Sequence, residues 1–282
     1  MAKKILVAGA TGYLGGYVVA ELKRRGHFVR ALVRPGKKVP GADECFEAEA
    51  TRSETLAGIC DGMDAVISSL GITRQTDKVT FEQVDYGANR ALLEEAKSAG
   101  VPRFVFVSVL APDTLVGIAM ADARERFVRE LQASSVEAAI MRPTGFFSDM
   151  KEFLAMAQSG RVWLIGDGSS RMNPIHGEDL AGACVDALDQ PPGEHNLGGP
   201  ETFTYEQIAR LAFEVLGKPA RISHVSPGLA GAMLKVVRPF SKRTSELGAF
   251  LLRVMTHDVV GPAMGTRTLR AFYADEAARA SK

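Results

Sequence analysis

Residues Lys3 to Glu21 read K-K-I-L-V-A-G-A-T-G-Y-L-G-G-Y-V-V-A-E, and no other stretch restricts the fold as strongly. Ile5, Leu6, Val7 and Ala8 form a short apolar run, Gly9, Gly12 and Gly15 follow at three-residue spacing, and Tyr17 to Leu22 takes up helical spacing. The pattern predicts a strand, a tight glycine turn and a helix. Gly9 permits a sharp turn, Gly12 leaves room for the backbone to approach a pyrophosphate, and Gly15 lets the helix pack closely on the strand. The phosphates then rest on the free N–H groups and positive dipole of the helix start. Glycine spacing is a weak signal in a chain with 28 Gly, so context carries the reading. These glycines follow an apolar strand and open a helix, as a dinucleotide-binding turn requires.

Charge and cysteine content narrow the function classes. The 34 Lys+Arg against 33 Asp+Glu give no global field for nucleic acid or an anionic membrane. Cys45, Cys60 and Cys184 are far apart and odd in number, which suits a reducing compartment and gives no metal-ligand spacing. With the glycine turn beginning at Gly9, a cleaved leader has no room ahead of it, and no uncharged apolar run approaches membrane-spanning length. The expectation is a cytoplasmic protein with no transmembrane segment and no metal.

After the first helix, His27 to Val33 alternates as a second strand and ends at Arg34, followed by Pro35, Gly36, Lys37 and Lys38. An NAD-selective fold places Asp or Glu at this corner to take the ribose hydroxyls. Arg34 and Lys37 would instead pair with the 2′-phosphate of NADP, which makes NADP(H) the expected cofactor. A weaker strand spans Glu44 to Ala48 and a short helix Ser53 to Cys60. A buried strand follows from Ala65 to Gly71, whose small final residues leave space for a ligand. The polar stretch Ile72 to Thr80 is expected to be mobile. Phe81 to Ala99 reads as a helix stopped by Gly100, Arg103 to Leu110 as a strand, Ala119 to Ser134 as a helix and Val136 to Met141 as a strand closing on Arg142-Pro143-Thr144-Gly145.

This alternation predicts an α/β fold with a doubly wound parallel Rossmann sheet and right-handed crossovers. Residues 1–145 form the expected dinucleotide-binding core, with 176–200 returning to it. Residues 146–175 and 201–282 form a small, mainly helical C-terminal substrate or lid subdomain. Within it fall a helix near Met150 to Ser159, a glycine-rich turn from Gly166 to Ser170, and the segment Asn173 to Asp179, where Asp179 is expected to cap a helix Leu180 to Leu188. His176 has the chemistry of a base, although a histidine beside a turn is more often structural. His195 to Gly199 reads as a strand, and Thr204 opens a helix from Tyr205 to Leu216. The apolar runs Leu229 to Val237 and Leu247 to Met255 are joined by Arg238, Lys242 and Arg243. Such helices serve as a pocket lid or core more often than for peripheral membrane contact.

Four segments carry a family likeness: V-A-G-A-T-G-Y-L-G (Val7 to Gly15), V-D-Y-G-A-N-R-A-L-L-E-E-A-K-S-A-G-V-P-R-F-V-F-V-S (Val84 to Ser108), M-R-P-T-G-F-F (Met141 to Phe147) and N-P-I-H-G-E-D-L-A (Asn173 to Ala181). Together they resemble the atypical short-chain dehydrogenases of the NmrA-like, NAD(P)H-binding type. The resemblance implies that Gly9, Thr11, Gly12, Tyr13, Leu14 and Gly15 hold the pyrophosphate and Arg34 the 2′-phosphate. Glu49 stands where the family often has an Asp that meets the adenine. Ser69, Leu70 and Gly71 would pass beneath the nicotinamide ribose, with Pro143 and Thr144 near the carboxamide.

Extended relatives also carry a Ser, Tyr and Lys triad, in which the Tyr acts as acid or base and the Lys holds the ribose. By the resemblance, the Lys position falls on Arg124, the Tyr position on Met120 and the Ser position near Leu110, so the triad is absent as a set. Arg124 keeps a charge that can hold the ribose, and His176 is the nearby residue able to replace the lost acid. Two classes of function follow. One is an NADPH-dependent reductase of a small hydrophobic, quinone- or enone-like acceptor, for which no tyrosine is required. The other is a non-catalytic NADP(H)-binding redox sensor or assembly factor.

Overall fold

The computed structural model describes residues 2–72, 79–237 and 240–280. Residues 73–78, the centre of the polar stretch expected to be mobile, and Arg238 of the basic joint lie outside the described residues. Contacts divide the chain into two compact units. The first comprises Met1–Val109, Ala119–Arg142 and Leu180–His195, and the second Leu110–Ile118, Pro143–Asp179 and Asn196–Lys282. The segment Leu110–Ile118, which strand and helix alternation alone assigns to the first unit, groups with the second.

The first unit opens with β1 (Lys4–Ala8), α1 (Tyr13–Arg24), β2 (Phe28–Val33), β3 (Glu44–Glu47) and β4 (Ala65–Ser68). It continues through α2 (Asn89–Ser98), β5 (Arg103–Val107), α3 (Ala119–Gln132) and β6 (Glu137–Pro143), whose last residue begins the second unit. Ile5, Leu6, Val7 and Ala8 are at most 1% exposed, as expected of a strand covered on both faces. Burying each of the larger side chains contributes ~1.5–3 kcal/mol. Phe104 and Phe106 of β5 meet Phe127 of α3 with ring centroids 5.8 and 4.7 Å apart, so aromatic packing fixes α3 to the sheet. The helix expected from Ser53 to Cys60 is only a 3-10 turn, Ser53–Leu56, because Gly58 takes a φ of +76° and ends it. Likewise the helix expected from Phe81 begins as a π-helix, Glu82–Ala88, before continuing as α2.

Beyond β6 come α4 (Phe147–Gln158), β7 (Val162–Ile165), β8 (Arg171–Met172), α5 (Gly177–Asp186) and β9 (Gly193–Leu197). The chain then forms β10 (Phe203–Thr204), α6 (Tyr205–Val215), β11 (Ile222–Val225), α7 (Pro227–Val237), α8 (Lys242–Met255) and α9 (Leu269–Ala280). One seven-stranded sheet has the order β3-β2-β1-β4-β5-β6-β9, with the pairs from β3 to β6 parallel. This is the Rossmann-like, doubly wound α/β architecture. The second unit is helical around two small sheets that the sequence did not announce, β10 with β8 and β11 with β7. Its core includes Phe147, Phe153, Ile208, Phe213 and Tyr273, and the Tyr273 hydroxyl donates to the Met150 carbonyl at 2.8 Å. Thr204 caps α6 as expected: its hydroxyl accepts from the Gln207 N–H at 3.1 Å, and the Gln207 side chain accepts from the Thr204 N–H at 2.8 Å.

Candidate dinucleotide site

In the first unit three strand ends meet at one level. The register pairs Val7 with Ala31 and Ala8 with Ser68, so Gly9 leaves the sheet beside Val33 on one side and Ser69 on the other. From β1 the strand order runs outward through β2 and β3, then resumes on the opposite side with β4, which makes this edge the topological switch point where α/β sheets take ligands. Gly9 has a φ of +84°, and a Cβ there would lie 2.7 Å from the Ser69 hydroxyl, so only glycine fits. A Cβ on Gly15 would lie 2.8 Å from the Ala10 Cα, which is how closely α1 rests on the loop. Gly12 is the residue before α1, and a Cβ on it would meet only the Gly9 carbonyl oxygen, at 3.2 Å. The rest of its surroundings is open, the cradle a pyrophosphate needs at the start of α1, which Tyr13, Leu14 and Gly15 begin. Thr11, exposed on the same loop, completes the set expected there.

At the end of β2, Arg34-Pro35-Gly36-Lys37 closes as a turn in which the Lys37 N–H donates to the Arg34 carbonyl at 3.0 Å and Gly36 takes a φ of +74°. Glu47 of β3 accepts the Gly36 N–H at 3.1 Å and so fixes the turn. Arg34 and Lys37 are exposed, and among the described residues no ion pair engages either side chain. Glu49 is half-buried, two residues past β3, with its backbone tied to the Thr55 hydroxyl. Beside it lies a cleft of 330 Å3 whose walls include Ala50, Ser53, Gln83 and Tyr86.

The loop after β4 is held by two residues of the helical segment 82–98. Asn89 accepts from the Ser68 hydroxyl at 2.5 Å and donates to the Leu70 carbonyl at 3.3 Å and the Asp85 carbonyl at 2.9 Å. Asp85, fully buried, accepts from Arg124 Nε at 2.8 Å and from the Ile72 N–H at 3.3 Å. Burial pushes the Asp85 carboxyl up, against the pull of the guanidinium. Gly71 is small for a reason that follows from this pair: a Cβ there would lie 2.7 Å from Asp85 Oδ1 and would collide with the guanidinium of Arg124. The structure therefore brings Ser69, Leu70, Gly71 and Arg124 together, with Met120 one helical turn before Arg124 on α3. Asp85 and Asn89 carry no expected role from sequence. The available signal was a buried acid and amide on the stripe that continues through Leu92, Leu93 and Ala96.

A second, partly buried network was also missed. Ser108 donates to Glu125 at 2.9 Å, and Glu125 accepts from Arg142 at 2.6 and 2.9 Å, while Arg142 Nε reaches Glu194 at 2.6 Å. Burial lowers the affinity of Arg142 for its proton, but the two carboxylates outweigh it and hold the guanidinium charged. Ser108 is thus the hydroxyl at the end of β5, two residues before Leu110, and it is committed to Glu125.

Pro143 ends β6 and Thr144 follows in the second unit, where the Thr144 hydroxyl donates to the Asn173 carbonyl and its N–H to the Leu197 carbonyl at 2.9 Å. His176 is 8% exposed, between the rings of Phe147 and Phe272 at 5.5 and 6.0 Å. It precedes the first residue of α5, and its Nδ1 accepts the Glu178 N–H at 3.1 Å. His176 therefore caps α5, and Asp179, expected in that role, lies inside the helix and accepts the Arg267 N–H at 3.3 Å. Burial, and then the charge of Arg267, push the His176 ring below its ordinary range, so it is neutral near pH 7. Cys60 and Cys184 are buried thiols pushed up to about 12, and Cys45 is half-buried. Among the described residues no group of three or more acid, His or Cys side chains could hold a metal ion, and no helix is long and apolar enough to cross a membrane.

Comparison with known proteins gives the fold and the family. The photosystem II assembly factor Ycf39 of Trieres chinensis is 27% identical over 230 residues, 78% of this chain and 72% of that protein. The chloroplastic divinyl chlorophyllide a 8-vinyl-reductase of Oryza sativa subsp. indica is 29% identical over 264 residues, 84% of this chain and 65% of the reductase. Among solved structures, an NADPH-dependent quinone oxidoreductase of Escherichia coli, complexed with NADPH, superposes with a TM-score of 0.72 at 20% identity, covering 96% of this chain and 99% of that one. The profile of the NAD(P)H-binding family matches residues 9–191, from the first glycine of the loop to the return of the chain into the first unit, and the protein belongs to that family.

Proposed function

We propose that this protein is an NADPH-dependent reductase of the atypical short-chain dehydrogenase type, acting on a small hydrophobic acceptor of quinone or enone character without a catalytic tyrosine. The observation that carries the reading is the pairing of an open glycine cradle at the switch point with a methionine, Met120, one turn from a buried Arg124. NADPH supplies a hydride when bound. Gly9, Gly12, Gly15 and the start of α1 hold its pyrophosphate, Arg34 and Lys37 its 2′-phosphate, and the cleft beside Glu49 its adenine. Arg124, oriented by Asp85 against Gly71, supports the nicotinamide ribose, and an arginine beside Met120 does not replace the tyrosine that passes a proton to a carbonyl. A conjugated acceptor suits such a site, since the arriving charge spreads to an oxygen that water protonates. The second unit is the substrate subdomain of this reading.

A second reading, an NADP(H)-binding assembly factor or sensor without turnover, is favoured by the likeness to Ycf39. The test is NADPH consumption against quinones, enones and aldehydes, together with NADP+ reduction by secondary alcohols. Turnover is expected with the first two and not in alcohol oxidation, where a missing base costs ~10²–10⁴ in rate. Steady alcohol oxidation lost in His176→Ala would overturn the assignment. NADPH binding with no turnover on any acceptor would favour the second reading.

A further inference from the structure

We propose that the exposed face of α7, with Phe240 beyond it, docks on an anionic lipid bilayer. Leu229, Met233 and Val236 recur at i, i+4 and i+7 on one face of α7 and are 56, 58 and 68% exposed. Phe240, three residues beyond the helix, is 88% exposed. The opposite side of α7 is already used. Ala230 is buried, and Leu234 packs so closely on Gly248 of α8 that a Cβ there would lie 3.3 Å from Leu234 Cδ1. On α8, Leu247 and Leu251, at i and i+4, are also exposed. Leu229, Met233, Val236 and Phe240 all exposed within one short stretch of chain are not the scattered apolar exposure normal for a protein surface.

Charge names the occupant. Residues 227–255 contain Lys235, Arg238, Lys242, Arg243 and Arg253 against the single acid Glu246, in a chain whose net charge is only +1. Lys235 is exposed and directly precedes Val236 of the apolar face. A surface that accepts apolar side chains at depth and cations at its boundary is an anionic bilayer interface. A second copy packed on the same face about a two-fold axis would bring the two copies of Lys235 together, which disfavours self-association. At 11 residues α7 is roughly 16 Å long, so it lies in the interface plane and does not cross. This inference is independent of the reductase reading.

The test is sedimentation of the full chain with vesicles of phosphatidylcholine alone and of phosphatidylcholine mixed with phosphatidylglycerol. Binding is expected to the mixed vesicles, to weaken as salt shortens the screening length, and to be weak on the neutral ones. Leu229→Ser/Met233→Ser/Phe240→Ser should bind at least ~10-fold more weakly while keeping NADPH affinity. Lys235→Glu, at an exposed position, should weaken binding ~5-fold or more and serves if the triple variant fails to fold. Equal binding to both vesicle types, no binding to either, binding unchanged in the triple variant and in Lys235→Glu, or a dimer in sedimentation velocity that these substitutions abolish would each overturn the proposal.

Discussion

In the proposed reading, cofactor choice rests on Arg34. It stands at the end of β2, exposed, on a turn that Pro35, Gly36 and Glu47 fix from the backbone. A guanidinium held ready beside a bound ribose contributes on the order of 1.5–3 kcal/mol to a phosphate and nothing comparable to a hydroxyl. NADPH is therefore expected to bind at least ~10-fold more tightly than NADH, and Arg34→Asp to reverse the order. Calorimetric titration of both cofactors measures this, and equal affinities in the unmodified chain would refute it. Arg124 differs in kind from Arg34, because Asp85 already satisfies it. Removing Asp85 would strand a buried charge, so this arginine is placed by its partner and not by its own reach.

Among elements, α5 shows how a residue singled out for chemistry is used in structure. His176 caps its start with Nδ1 and packs against Phe147 and Phe272. A ring whose pKa is lowered on folding binds its proton more readily in the unfolded chain, so stability is full above the unfolded value of about 6.5 and declines as pH falls below it. Urea midpoints at pH 7.5 and 5.5 should therefore differ more in the unmodified protein than in His176→Asn, which keeps a capping acceptor and loses the titration. His27, also lowered by burial, leaves some pH dependence in the variant. An equal pH response in both proteins would show that His176 is not a source of it.

On the scale of the whole molecule, the division into two units predicts how ligand and stability are coupled. The glycine loop, Arg34 and the β4 loop all belong to the first unit, so cofactor binding should stabilise that unit directly. At a concentration 100 times its Kd, NADPH contributes about 2.7 kcal/mol. That corresponds to a rise of roughly 5–10 °C in Tm, with NADH at the same concentration giving less. Differential scanning calorimetry should show the first transition to move with NADPH, and a thermogram unaffected by saturating NADPH would contradict the site.

The sequence by itself determined the parallel strands of the Rossmann-like sheet and the glycine turn that leaves β1. Local patterns sufficed there, because parallel strands buried on both faces are continuous apolar runs and a glycine forced into positive φ, as Gly9 is, marks its own turn. Thr204 as a helix cap was legible for the same reason, since capping is a matter of residues three apart. Only the tertiary structure decided that Arg124 is paired with Asp85, 39 positions away, and that Ser108 is committed to Glu125. It also decided that β7 pairs with β11 and that His176 displaces Asp179 as the cap of α5. These outcomes depend on which side chains burial brings within hydrogen-bonding range, and a buried charge must find its partner wherever the fold supplies one.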